Sequence, residues 1–210
     1  MKIVCISDVH DRYGGLDLPE GDVLVCTGDF SDYARKEQVI HFDKWGDYLR
    51  EETSFKYRIL VSGNHDHLCL AEPEVARPLL SNWTWLEEQT LEIEGRIFHG
   101  ISWQKWFWDD MWGRSAARFI PLYSRIPDKV DVLLTHGPPF GIRDQVLSGG
   151  FVGDKYLLNR VLYVKPQAHV FGHIHEAYGR EYQEGIEFIN ASICNIRGEL
   201  ANAPIVLKID

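Results

Sequence analysis

Two aspartates, one asparagine and five histidines recur at the same kind of place in this chain, just past short apolar runs. The runs at residues 2–6, 22–27, 58–61, 130–134 and 168–171 end in Ser7-Asp8-Val9-His10, Gly28-Asp29, Gly63-Asn64-His65-Asp66, Thr135-His136 and Gly172-His173-Ile174-His175. Carboxylate and amide oxygens mixed with imidazole nitrogens suit Mn, Fe, Zn, Co or Ni better than Ca or Mg. None of the four cysteines (Cys5, Cys26, Cys69, Cys194) belongs to the set, which argues against a closed structural zinc site. Collected in order, Asp8, His10, Asp29, Asn64, His65, His136, His173 and His175 offer about seven ligands, more than one open catalytic metal needs. They suit two divalent metals sharing a carboxylate at ~3.5–4 Å, a centre that cleaves phosphate esters with a metal-bridging hydroxide. Mn is the first expectation for both ions.

The runs have the length and β-branched content of strands buried on both faces. In open α/β sheets ligands bind beyond the carboxyl ends of the strands, and that is where all five polar endings fall. The pairs Asp8-x-His10 and His173-x-His175 read as extended segments, on which alternate residues share a face. Residues 34–50 carry Val39, Phe42, Trp45 and Leu49 at helical spacing, and residues 154–164 do the same with Leu157, Leu158, Val161 and Leu162. Residues 90–93 and 96–101 form a hairpin around Glu94-Gly95, and residues 186–190 and 204–209 are further strands. Without repeats or a linker, residues 1–210 read as one mixed α/β domain.

The charge balance is acidic, 22 basic against 31 acidic side chains, for a net charge of -9. An extended nucleic-acid surface or an anionic membrane would call for clustered Lys and Arg. A small phosphorylated substrate, a nucleotide among the options, stays compatible, because metal ions reverse the local sign of a site. The cysteines read as buried thiols, and no apolar run is long enough for a signal peptide or a membrane span. A cytoplasmic location is the expectation that follows. The oligomeric state is left open.

Taken in order, the five blocks resemble the calcineurin-like metallophosphoesterase superfamily, over residues 3 to about 192. Thr135-His136-Gly137-Pro138-Pro139, Phe171-Gly172-His173-Ile174-His175, Asn190-Ala191-Ser192 and the aromatic stretch Trp103-Gln104-Lys105-Trp106-Phe107-Trp108 are similar to its metallophosphoesterase-domain-containing phosphodiesterase branch. The resemblance implies a β-sandwich flanked by helices, a four-layer αββα fold. It implies that Asp8, His10 and His175 hold one metal and Asn64, His136 and His173 the other, with Asp29 bridging. His65 then protonates the leaving oxygen, and Asp66 orients its ring.

Within the superfamily, Ser/Thr phosphatases carry a phosphate-binding arginine shortly after the block-two aspartate, and purple acid phosphatases carry a tyrosine ligand three residues on. Here Phe30-Ser31-Asp32-Tyr33 follows, with Asp32 at the tyrosine position. A phosphodiesterase for cyclic nucleotides or similar small esters is therefore expected. The alternatives are a phosphomonoesterase, a nuclease, or a non-catalytic metal-binding scaffold of the same fold. Trp103 and Trp106 are expected to line the substrate, with Arg143, Asp11 and Arg12 near it. His41, His67, His99 and His169 are expected outside the site, the last two as hydrogen-bonded strand residues. Gly149-Gly150-Phe151-Val152-Gly153 reads as an ordinary loop.

Overall fold

A computed structural model describes residues 1–102 and 116–209; the aromatic stretch containing Trp103 and Trp106 lies outside the described residues. Eleven strands are described: β1 (Lys2–Ile6), β2 (Val23–Cys26), β3 (Tyr57–Leu60), β4 (Thr84–Trp85), β5 (Gln89–Ile93), β6 (Arg96–Ile101), β7 (Val132–Thr135), β8 (Ala168–Phe171), β9 (Gly179–Gln183), β10 (Ile186–Asn190) and β11 (Ile205–Lys208). The helices are α1 (Lys36–Glu52), α2 (His67–Ala71), α3 (Pro73–Ala76), α4 (Ala116–Tyr123) and α5 (Lys155–Val164).

The strands form two sheets, one ordered β11-β1-β2-β3-β4 and the other β5-β6-β7-β8-β10-β9. Strands β1 to β4 run parallel, as do β6, β7, β8 and β10, while β11, β5 and β9 are antiparallel edges. Both faces of the inner strands of each sheet are buried, and the period-two alternation of strand side chains assigns each residue to a layer. In β1, Ile3 and Cys5 face the other sheet, where they join Val23, Val25 and Ile59 against Phe98, Val132, Leu134, Val170 and Ile189. Val4 and Ile6 face outward with Leu24, Cys26 and Leu60, covered by Val39, Phe42, Trp45 and Leu49 of α1. On the far side Leu133, Phe171 and Phe188 pack under Leu122 and Tyr123 of α4 and Leu157 and Val161 of α5. Three cores separated by two sheets make the four-layer αββα sandwich.

Local signals explain the helix starts. Asp154 caps α5 by accepting from the amides of Tyr156 (2.6 Å) and Leu157 (3.0 Å), which satisfies two orphan donors of the first turn. At α1 the Gln38 side chain accepts the Arg35 amide at 3.0 Å. No described helix is long and apolar enough to cross a membrane. All four cysteines are buried and free.

The two sheets meet at one end. Ser7, just past β1, bridges to Ser192, just past β10, and the Ser7 amide donates to Ala191 O at 2.9 Å. Nearby, the Asp8 amide donates to Gly28 O and the Gly172 amide to His136 O, each at 2.9 Å. These bonds gather the carboxyl ends of five strands from two sheets.

Candidate metal centre

Each singled-out residue sits at the carboxyl end of a parallel strand: Asp8 and His10 after β1, Asp29 after β2, Asn64 and His65 after β3, His136 after β7, His173 and His175 after β8. Asp8, His10 and His175 bring one ligand atom each within 4.8 Å of one another, and so do Asp29, His136 and His173. The two triads are adjacent, because the carboxylates of Asp29 and Asp8 both act electrostatically on His10.

The local backbone departs from the extended reading. Asp8, His10, Asp29 and His173 have φ of 52°, 45°, 50° and 69°, in the left-handed region that side chains other than glycine enter at a cost. Such strain concentrates at functional sites that the surrounding fold over-determines. The turn at His173 also explains why His173 and His175 part company, one in each triad. Close approach accounts for the motif glycines. A Cβ at Gly63 would lie 2.2 Å from Asp29 Oδ1 and 2.7 Å from His136 Cε1, and one at Gly172 would lie 2.1 Å from Asp8 Oδ2.

Outer partners fix the ring tautomers. His136 Nδ1 donates to Thr27 O at 2.8 Å and His175 Nδ1 to Asn195 O at 3.0 Å. His10 Nδ1 faces Asp32 Oδ1 at 3.1 Å. All three therefore turn Nε2 toward the centre, the arrangement in which a hydrogen bond to one ring nitrogen aims the other at a metal. On Asp8, Oδ2 receives the His173 amide and lies beside Ser192 Oγ, both at 2.9 Å, while buried Oδ1 has no hydrogen-bond partner.

Protons stand where cations would fit. His136 Nε2 lies 3.0 Å from Asn64 Oδ1 and 3.4 Å from Asp29 Oδ2, and His175 Nε2 lies 3.4 Å from Asp8 Oδ1. Burial alone would lower both imidazoles, but the Asp29 carboxylate lifts His136, and Asp8 lifts His175, each to about 9. Burial opposes ionisation of Asp8 and Asp29, yet their histidine partners hold both carboxyls below the usual range. His173, buried and next to the charge of His136, is pushed down to about 4, which leaves it neutral. Two anionic carboxylates, a neutral imidazole and an orphaned carboxylate oxygen make a donor set that fits two divalent metals.

The family model for calcineurin-like phosphoesterases matches residues 1–177. This chain belongs to that family. Metallophosphoesterase domain-containing protein 1 of Homo sapiens is 34% identical over 99% of this chain and 71% of its own length, and the mouse protein matches equally. The UPF0046 protein K07C11.7 of Caenorhabditis elegans is 32% identical over 100% of the chain and 75% of its own length. Among solved structures, TT1561 of Thermus thermophilus matches 90% of this chain and 88% of its own at TM-score 0.54 and 11% identity. The purple acid phosphatase PPD1 of yellow lupin covers 100% of this chain with 46% of its own, at TM-score 0.54 and 13% identity. Such identities show a shared fold alone. Family membership makes the chain a metal-dependent phosphoric ester hydrolase.

Around the phosphoesterase centre, several expectations change. Asp66 does not hold the His65 ring. Its Oδ2 is occupied by the amides of Gly63 (2.7 Å) and Asp29 (2.9 Å), tying two ligand loops together. Burial, then the charge of Asp29, pushes the Asp66 carboxyl well above the usual range. His65 Nδ1 instead donates to the Asp32 carbonyl at 2.9 Å. Arg143, expected at the substrate, donates to Arg180 O at 2.6 Å and Tyr178 O at 3.5 Å. Asp11 is likewise engaged, its Oδ2 accepting from Ser31 Oγ, the Asp32 amide and Gln38 Nε2. Arg12 reaches the His10 carbonyl and faces Asp32. His99 and His169 are buried, but each is only half paired, through Thr90 (2.9 Å) and Thr135 (2.9 Å), and burial lowers them to about 4 and about 3.

Asp32 is the residue the sequence reading passed over. Its carboxylate orients His10 and its carbonyl orients His65, so it serves a ligand and the expected acid at once.

Proposed function

We propose that this phosphoesterase is a phosphodiesterase for small phosphate diesters, cyclic nucleotides among them, with His65 as general acid. The observation that carries the reading is the pair of adjacent triads with His65 beside them, its ring 5.1 Å from that of His10. Two divalent metals, Mn first, would supply an activated water and positive charge against the phosphate oxygens. Asp8, His10 and His175 would hold one, Asn64, His136 and His173 the other, and Asp29 would bridge.

The residues of the chain do the rest. Asp32 O fixes the proton of His65 on Nδ1, so a second proton on Nε2 is the one available to the leaving alkoxide. The backbone amide of His65 donates to Asp29 Oδ1 at 2.7 Å, which couples the acid to the bridging carboxylate. A monoester dianion carries one charge more than a diester and calls for a further cation. Arg143 and Arg12, the two arginines near the motif ends, are engaged with carbonyls and carboxylates instead. That favours the diester.

The test compares bis(p-nitrophenyl) phosphate with p-nitrophenyl phosphate, using metal-stripped protein with and without Mn²⁺. Metal-restored cleavage with the diester preferred, lost in Asp29→Asn, is the expected result. Preference for the monoester would overturn the diesterase reading while leaving the phosphoesterase intact.

A further inference from the structure

Two more rings adjoin His65 in series. The His67 ring lies 6.3 Å from that of His65 with planes 11° apart, and the Tyr33 ring lies 6.2 Å from His67 at 64°. Both are exposed, Tyr33 to 54%. We infer that Tyr33 and His67 form an aromatic subsite that seats a planar ring carried by the leaving group.

The inference rests on the phosphodiesterase reading, since His65 marks the side from which the leaving oxygen departs. A single exposed tyrosine needs no explanation. This one is displayed at a cost. Ala34, next in the chain and fully buried, is held at φ 41°, a conformation unfavourable for a residue with a Cβ. The loop keeps it because Ser31 Oγ accepts the amides of Ala34 (3.0 Å) and Tyr33 (3.4 Å), and Asp11 Oδ2 in turn accepts Ser31 Oγ at 3.0 Å. The Arg35 guanidinium lies 5.5 Å from the centre of the Tyr33 ring, which brings a positive charge beside it. His67 is fixed by its place as the first residue of α2. A rigid ring pair bordering the acid suits stacking, which tolerates many bases because every base has a π-face. A nucleoside and a simple aryl alcohol both present this chemistry.

The experiment is calorimetry on the Mn²⁺-loaded protein with adenosine 5′-monophosphate against ribose 5-phosphate, and phenyl phosphate against methyl phosphate. The ring should tighten binding by about 5- to 140-fold, the range of one stacked base. Tyr33→Leu and His67→Ala should each erase most of that advantage while ribose 5-phosphate binds as before. An advantage for adenosine alone assigns the subsite to nucleosides; one for both pairs assigns it to aromatic rings in general. Equal binding with and without the ring, or an advantage surviving in both variants, overturns the subsite. Hydrolysis of bis(p-nitrophenyl) phosphate on the same sample separates the two readings: cleavage without ring preference removes the subsite only, and ring preference without cleavage removes the diesterase only.

Discussion

At the scale of single residues, the centre is set by which atom of each side chain is already taken. His65 has Nδ1 committed to a carbonyl and belongs to neither triad, so His65→Ala removes the proposed proton donor and leaves both triads standing. Turnover should fall by about 10²–10⁴-fold with metal content unchanged, as read by steady-state kinetics beside elemental analysis; loss of metal in step with activity would make His65 a ligand. Asp32→Ala predicts the reverse emphasis. It frees His10 Nδ1, so Mn²⁺ affinity should drop about 10–100-fold, the usual cost of removing the group that orients a metal-binding imidazole. Because His65 is held by the backbone carbonyl of residue 32, saturating Mn²⁺ should restore most of the turnover; failure to do so would show the carbonyl contact also depends on the side chain. The residues of the two triads were legible in the sequence because metal-binding chemistry is restricted to a few residue types. The orienting partners were not, since Thr27, Asn195 and Asp32 contribute carbonyls that any residue could supply, and only the folded loops turn Asp66 toward the Gly63 and Asp29 amides instead of His65.

At the scale of elements, the strand endings carried most of the information. Buried runs such as Lys2–Ile6 and Ala168–Phe171 announce themselves, and the stripe of Val39, Phe42, Trp45 and Leu49 is buried as its spacing predicts. The two-residue β4 and the five- and four-residue helices α2 and α3 are too short to show a period. Edge strand β9 is largely exposed and has no apolar alternation to read. The extended reading of Asp8-x-His10 failed because positive φ angles at the strand ends, not alternation, aim these side chains. Those turns depend on glycine neighbours, which makes a sharp prediction. Gly172→Ala would drive a Cβ against Asp8 Oδ2 and Ser7 Oγ, both 2.1 Å away and buried. Overpacking of this kind costs about 1–3 kcal/mol, so Tm should fall by roughly 2–12 °C and metal uptake should weaken. An unchanged Tm with full metal uptake would mean that the strand ends are looser than this packing implies.

Across the whole molecule, the two-sheet arrangement followed from family resemblance and not from periodicity, since strands buried on both faces fit several α/β folds. What the fold adds is a set of buried imidazoles with opposing tendencies. In the metal-free protein His136 and His175 are raised to about 9, so the stability they contribute is present below pH 6.5 and lost as pH rises toward 9. His99, His169 and His173 are lowered to about 4, 3 and 4, so they cost stability as pH falls from 6.5 through those values. Metal-free protein should therefore be most stable near pH 6.5, as thermal unfolding across pH 4–9 would show. Metal held by His136 and His175 would displace their protons, so the alkaline loss should vanish on adding Mn²⁺; a pH profile indifferent to metal would contradict the assignment of these two residues.

The most direct test of the dinuclear centre is to titrate metal-stripped protein with Mn²⁺ while counting bound ions and following diester hydrolysis on the same sample. Two ions per chain are predicted, with activity rising chiefly on the second and about two protons released at pH 7, one each from His136 and His175. Saturation at one ion with full activity would contradict the account, and two bound ions with no hydrolysis of any diester would leave a metal-binding scaffold in place of an enzyme.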